Sequence, residues 1–213
     1  MDPKDAVRAI DLIMDGLGIS VPEGIGYEGE SPYQILISTI LSQQTTERNS
    51  RRASQLLFSE YSTPEEVYHA DPCRIEELVH CSGYYRQKTR CIVNVTRAIV
   101  EDYGGEVPDD AEELIKLPGV GKKTAACVMK YGYDTPSVIV DTHINRVSQR
   151  LGISDSKNPE DTQRAIAETV PKERWDDLDI AFITLGRTHC RPTNPDCSSC
   201  PVSECCRYHH TIE

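Results

Sequence analysis

The sequence predicts a mainly α-helical protein, and three observations carry this prediction. Apolar residues recur at helical spacing after Ser31-Pro32, a helix cap followed by a first-turn proline. Thr63-Pro64 and Asp71-Pro72 repeat that start signal, and glycines mark the ends of predicted helices. Only residues 137–140 resemble a strand, and they are too short and too isolated to build a sheet. Besides the helix after Ser31, we expect helices over about 47–60, 64–70, 73–80, 86–103, 110–117, 121–132, 142–151, 159–169 and 173–186.

Length and composition indicate a folded protein of one or two domains. The chain has 213 residues, of which 38% are hydrophobic and 27% charged. No apolar run approaches the roughly 18 residues of a membrane helix, so we expect no membrane partner. The N-terminus carries acids where a signal peptide needs a basic start. A cytoplasmic location follows as the expectation.

The net charge of −11 argues at first against a nucleic-acid partner. The charge is unevenly spread, however, because 13 of the 23 Lys and Arg residues fall in four segments that contain no Asp or Glu: 48–59, 84–97, 116–133 and 143–150. One face dedicated to a polyanion produces such a pattern. Four helices with solvated basic faces produce it too, and charge alone leaves both interpretations open.

A cysteine-dense tail follows the helices. Cys190, Cys197, Cys200 and Cys206 give the spacing C-x6-C-x2-C-x5-C, with Cys205 as an alternative fourth member. Closely spaced thiolates in a reducing cytoplasm bind metal more often than they form a disulfide knot. An iron–sulfur cluster and a structural zinc both fit, and the single short knuckle favours the cluster. The other four cysteines are expected to be small buried hydrophobes: Cys73, Cys81, Cys91 and Cys127.

Residues 111–129 predict a helix, a tight glycine turn and a second helix. Gly119 and Gly121 let the backbone approach a partner closely, and free N–H groups at the start of the second helix bind a phosphate without reading bases. A plain helical corner is the simpler interpretation. Lys123 favours the interpretation as a catalytic site. The helix N-terminus and the neighbouring Lys122 both disfavour the charged form of its amine and so favour the nucleophilic form. Lys122 itself is expected to contact phosphate or solvent.

Asp141 is a candidate partner for that amine. It lies between the apolar run 137–140 and the helix that begins at Thr142, where a helix cap is its simplest role. Both roles are compatible, because a capping carboxylate stays ionised near the helix dipole while it faces a cleft.

Four motifs together resemble the endonuclease III branch of the helix-hairpin-helix DNA glycosylases. They are LSQQTT (41–46), LPGVGKKTA (117–125), VDTHINRV (140–147) and the cysteine tail, in the family's order, and the resemblance covers about residues 25–207. It implies an all-α, two-lobed fold with the active-site cleft between the lobes. Residues 25–135 would form a six-helix barrel that carries the helix-hairpin-helix, and residues 1–24 with 136–213 would form an iron–sulfur lobe.

The resemblance also implies individual roles. Lys123 matches the Schiff-base lysine, Asp141 the catalytic aspartate, and the hairpin with Gly119, Val120, Gly121 and Lys122 the DNA contact. It selects Cys206 over Cys205, and the four cysteines would hold one [4Fe–4S] cluster. Gln44 matches the glutamine that enters the gap left by the flipped nucleotide, although the residue alone suggests a buried capping amide.

Two positions depart from the family. Tyr84 stands where the family often has a leucine wedge between bases, so the geometry of that wedge is in question. Arg191 is the sole basic residue of the loop between Cys190 and Cys197, which is often more basic in the family. We therefore expect this loop to contribute less to DNA binding.

The implied function is base excision repair. A monomer would remove damaged pyrimidines from double-stranded DNA and cut the resulting abasic site by β-elimination. A monofunctional mismatch glycosylase is the nearest rival, but its relatives lack lysine at the position of Lys123. The alternative that is not an enzyme is a DNA-binding module cross-linked by a structural zinc.

Overall fold

A computed structural model of the chain describes residues 1–20 and 29–212. Within them the fold is all-α, as predicted, with twelve α-helices, two short 3₁₀ helices (Lys172–Arg174 and Ser203–Cys205) and no strand. The helices are α1 (Pro3–Gly16), α2 (Pro32–Ser42), α3 (Glu47–Glu60), α4 (Pro64–His69), α5 (Pro72–Val79), α6 (Tyr85–Tyr103), α7 (Ala111–Lys116), α8 (Lys122–Gly132), α9 (Thr142–Leu151), α10 (Pro159–Thr169), α11 (Trp175–Thr188) and α12 (Arg207–Ile212).

Local capping explains most of the starts. Ser31 and Gln34 form a reciprocal capping box at α2, and Thr63 and Glu66 do the same at α4. Asp71 accepts a hydrogen bond from the Cys73 N–H at the start of α5. Because each cap satisfies backbone donors that the helix leaves open, the predicted starts lie within two residues of the observed ones for these helices.

The chain divides into two compact units. One combines both ends of the chain, Met1–Ile25 with Pro136–Glu213, and the other is Gly26–Thr135. The predicted domain boundary between residues 24 and 25 lies outside the described residues.

The unit Gly26–Thr135 is built around α2. Most residues of this helix are apolar and buried, and they contact α3, α6 and α8, as expected for a central helix. The surrounding helices are amphipathic and direct one face to the same core. The glycine hairpin between α7 and α8 is attached to this core through Leu117 and Val120, which are both buried.

The other unit packs α1, α9, α10 and α11 around a second core. Ile10 and Ile13 of α1 are fully buried with Leu178 and Phe182 of α11. Residues 137–140 form no strand; the Val138 side chain is buried, and its carbonyl accepts a hydrogen bond from the Gln163 side chain at 2.9 Å.

One burial prediction needs correction. Cys127 is buried as expected, but Cys73 is exposed, and Cys81 and Cys91 are only half-buried. Cys73 is the second residue of α5 and belongs to its solvent-facing first turn, which apolar periodicity alone did not reveal. No helix in the described part of the chain is long and apolar enough to cross a membrane.

Candidate functional site: a glycine hairpin, a capping aspartate and a cysteine pocket

The hairpin between α7 and α8 is fixed by Gly119. This residue has φ +77°, and a Cβ on it would overlap the Cys91 Sγ of α6. The Val120 N–H donates to the Leu117 carbonyl at 3.1 Å, and the Val120 side chain is buried. Val120 therefore anchors the turn from inside, while Gly119 and Gly121 are the residues that the turn exposes.

The first turn of α8 is open. Gly121 is the N-cap, so no side chain caps this helix, and a Cβ on Gly121 would meet no atom within 4 Å. Lys122 and Lys123 follow and are both exposed. The next residue, Thr124, is buried and accepts a hydrogen bond from the Gln43 side chain at 3.4 Å. This end of α8 combines uncapped backbone donors, the positive end of a helix dipole and two amines.

Asp141 caps α9, as its simplest interpretation predicted. Its Oδ1 accepts hydrogen bonds from the His143 and Ile144 backbone N–H groups, each at 2.8 Å. Both cap bonds go to the same oxygen, so Oδ2 takes no part in capping. The side chain is half-buried, which leaves this carboxylate accessible to a ligand. Lys123 and Asp141 belong to different units.

Gln44 and Tyr84 occupy two turns of the unit Gly26–Thr135. Both have a left-handed backbone, with φ 49° and 58°, which is unusual for residues other than glycine. Gln44 is exposed, so the alternative of a buried capping amide was wrong. Tyr84 is 64% exposed, the largest exposure among the exposed large hydrophobic side chains in the described part of the chain. Two side chains are thus presented to solvent from strained turns.

The four predicted cysteines line one pocket. Cys190, Cys197, Cys200 and Cys206 share it with apolar side chains of α9 and α11. Burial raises the pKa of the Cys200 thiol to about 11, with a further increase from the neighbouring sulfurs. Burial likewise raises the pKa of Cys197. Desolvation disfavours the thiolate forms of Cys197 and Cys200, and a bound cation would compensate their charge.

Cys205 lies apart from that pocket. Its Sγ donates to the Val202 carbonyl at 3.5 Å, and its charged neighbours are Asp5 and Arg8 of α1. The pocket is therefore lined by Cys190, Cys197, Cys200 and Cys206 but not by Cys205. Within the described residues, no three His, Cys, Asp or Glu side chains converge on a single metal position.

Arg150 of α9 is a pocket residue that the sequence analysis missed. Its Nη1 lies 3.3 Å from the Cys190 Sγ and 2.7 Å from the Arg191 carbonyl oxygen, and its guanidinium stacks over the Tyr208 ring at 4.5 Å. Its place in the acid-free segment 143–150 was the available signal. Arg191 itself is exposed, so the loop is held through its backbone while its side chain stays free to reach a ligand.

Comparisons with known proteins agree on one family. Residues 37–172 match the profile described as "HhH-GPD superfamily base excision DNA repair protein". Endonuclease III of Thermotoga maritima is 43% identical over 178 residues, which cover 84% of each chain. Endonuclease III of Bacillus subtilis is 35% identical and covers 94% of this chain and 93% of its own. A solved structure of a trapped endonuclease III–DNA covalent intermediate superposes with a TM-score of 0.86 at 30% identity, over 100% of this chain and 99% of that one.

Proposed function

Because this chain belongs to the endonuclease III family of HhH-GPD base excision DNA repair proteins, we propose that it excises damaged pyrimidines from duplex DNA and cuts the abasic site that results. The observation that carries the proposal is Lys123, an exposed amine in the uncapped first turn of α8. A DNA binder without chemistry needs the glycine turn but has no need of a nucleophile there.

Phosphate binding comes first. The backbone N–H groups of the exposed hairpin and of the start of α8 donate hydrogen bonds to a phosphate group, and Lys122 adds a positive charge. Gln44 and Tyr84 probe the duplex from their exposed turns, and Arg191 adds one contact. A damaged pyrimidine costs less to unstack than an intact one, which supplies part of the selectivity for double-stranded DNA with a lesion.

Lys123 then acts as the nucleophile. Its neutral amine attacks C1′ of the extruded nucleotide, the N–C1′ bond forms, and the glycosidic bond breaks so that the base leaves with its bonding electrons. Asp141 stabilises the positive charge that develops on the sugar and assists proton movement. The C1′–O4′ bond then breaks, O4′ takes up a proton, and the Lys123 nitrogen, which loses a proton, forms an imine with the opened deoxyribose. Loss of a C2′ proton then expels the 3′ phosphate and cuts the strand.

The cysteine pocket fits one [4Fe–4S] cluster. Cys190, Cys197, Cys200 and Cys206 would hold it, with Arg150 beside the Cys190 sulfur. Each of the four sulfurs binds a separate iron in such a cluster, whereas a structural zinc draws all four sulfurs to one point. The four thiols that line this one pocket are the donor set that such a cluster requires. When bound, it cross-links the tail of the chain. Because its ligands must be reduced thiolates, we place the protein in the cytoplasm.

The two compact units correspond to the two lobes that we propose for the family's fold. The unit Gly26–Thr135, which contains the hairpin and both exposed turns, would be the barrel lobe. The unit that contains Asp141 and the cysteine pocket would be the iron–sulfur lobe. We expect the protein to act as a monomer.

A product assay tests the proposal. Duplexes that carry dihydrouracil, thymine glycol, uracil, a G·T mismatch or an abasic site are incubated with the protein, and the strands are separated with and without alkali. We expect cleavage of the oxidised pyrimidines and of the abasic site without alkali. Base release that yields strand breaks only after alkali would instead assign the monofunctional activity.

The variant Asp141→Asn tests the catalytic role of Asp141 separately from its capping role, because asparagine and aspartate cap helices equally well. We expect the variant to keep its thermal stability and to lose about 10²-fold or more in the rate of base removal. Asp110→Asn is the matched control, since the Asp110 Oδ1 caps α7 by accepting hydrogen bonds from two backbone N–H groups in the same way. Unchanged turnover by Asp141→Asn would remove Asp141 from the mechanism.

A further inference from the structure

The two turns that carry Gln44 and Tyr84 are joined to each other. The Gly83 N–H donates to the Thr45 Oγ1 at 3.2 Å, and the Ser82 hydroxyl donates to the Leu41 carbonyl at 3.0 Å. The backbones approach so closely that a Cβ on Gly83 would lie 2.9 Å from the Gln44 carbonyl oxygen. The turn after α2 and the turn before α6 therefore form one connected surface, which we call the paired turns (residues 43–45 and 82–84).

The buried side chain of Lys88 also links the two turns. It belongs to the first turns of α6, is only 5% exposed, and donates from Nζ to the Leu41 carbonyl at 2.8 Å and to the Ser82 hydroxyl at 2.7 Å. Leu41 lies in the last turn of α2, where carbonyl groups lack helical partners and the helix dipole is negative. The ammonium thus serves as a cationic cap for α2 and as a bridge to Ser82.

Burying an ammonium group costs more free energy than burying an apolar side chain of similar size. Removing its hydration opposes folding, and burial lowers the pKa of Lys88. An apolar side chain of similar length would fill this volume without that cost, but it would donate no hydrogen bond to either acceptor. The contacts of Lys88 therefore identify what the lysine supplies: a fixed spacing between the end of α2 and the turn that precedes Tyr84.

We propose that Lys88 is a positioning residue that holds the paired turns together so that Gln44 and Tyr84 meet the duplex as one rigid unit. This inference rests on the proposed function. Both probing residues have positive φ angles, which persist only where the surroundings over-determine the backbone. The bridge from Leu41 to Ser82 and Lys88 is such a constraint. Its contribution is greatest when the enzyme must open a stacked base pair, and small when the target nucleotide is already unstacked.

Lys88→Met tests the inference, because methionine keeps much of the length and removes the donors. Ile99→Val is the matched control, as a mild cavity in the buried face of the same helix, remote from the bridging bonds. Single-turnover release of dihydrouracil is measured from a fully paired duplex and from a duplex in which the lesion is a one-nucleotide bulge. We expect Lys88→Met to be slower by about tenfold or more on the paired duplex and by less than about threefold on the bulge. We expect Ile99→Val to change neither rate by more than about twofold.

Hydrogen exchange supplies a readout that needs no catalysis. Peptides that span residues 43–46 and 82–85 should exchange about tenfold faster or more in Lys88→Met than in the wild type, and at the wild-type rate in Ile99→Val. If Lys88→Met does not fold, Ser82→Ala removes the two bonds of the Ser82 hydroxyl, and Thr45→Val removes the bond from the Gly83 N–H. Both variants should show the same selective loss.

The outcomes separate the two hypotheses. A wild-type protein that releases no base from either duplex would overturn the proposed function, while the exchange rates still decide whether Lys88 holds the turns. With an active wild type, equal losses on paired and bulged duplexes, or unchanged exchange in the paired turns, would show that Lys88 is only a stability residue and overturn the inference.

Discussion

Gly119→Ala should destabilise the protein in two separable ways. Alanine at φ +77° costs about 1–2 kcal/mol of backbone strain, since a Cβ crowds the neighbouring carbonyl in the left-handed region. Its methyl group also overlaps the Cys91 Sγ, and overpacking of this kind costs about 1–3 kcal/mol. Together they predict a loss of about 2–5 kcal/mol, which corresponds to a fall in Tm of roughly 4–20 °C for a chain of this length.

Two further variants separate these causes. Gly121→Ala is the control, because its backbone is extended and open space surrounds it, and it should cost less than about 1 kcal/mol. Cys91→Ala in the Gly119→Ala background should recover the overpacking part and leave the backbone strain. Denaturant unfolding of these three variants, of Cys91→Ala alone and of the wild type gives the coupling energy between residues 91 and 119 from a double-mutant cycle. Equal losses for the two glycine variants, or no coupling between residues 91 and 119, would refute this account of the hairpin.

The remaining predictions concern the cysteine pocket and a helix cap. Cys206→Ser should abolish the absorbance near 400 nm and the bound iron of freshly purified protein, whereas Cys205→Ser should keep both; loss of iron in both variants would contradict the separation of Cys205 from the pocket. Glu66→Gln should lower Tm at neutral pH, because the Ser62 and Thr63 backbone N–H groups hold the pKa of Glu66 below its ordinary 4.5. A carboxyl whose pKa is lower in the folded state stabilises the folded protein at pH values above its unfolded-state pKa. The Tm difference between Glu66→Gln and the wild type should therefore disappear as the pH falls through the folded-state pKa of Glu66. A Tm difference that persists in acid would show that the charge of Glu66 is not its cause.

Local signals made much of the fold predictable. A capping side chain followed by proline marks Ser31, Thr63 and Asp71 as helix starts, and it does so without any tertiary information. Helix α1 carries the same signal at Asp2-Pro3, yet its apolar period was not used in the prediction. Helix α12 has only six residues, too few for a period to emerge.

The candidate site depends on information of two kinds. Motif spacing was enough to select Lys123 and Asp141, and the cap at α9 followed from residue type alone. Arg150 and Lys88 act through groups that are 40 or more residues away in the chain, so only the packing of distant helices reveals them. The exposure of Gln44 likewise depends on a left-handed backbone, which residue type does not dictate.

Covalent trapping tests the central claim most directly. The protein is incubated with a duplex that contains one dihydrouracil in the presence of sodium borohydride, which reduces an imine to a stable amine. The wild type and Lys122→Gln should both yield a protein–DNA adduct, the latter with weaker DNA binding, whereas Lys123→Gln should bind the duplex and yield none. An adduct formed by Lys123→Gln at the wild-type level would contradict the assignment of Lys123 as the nucleophile.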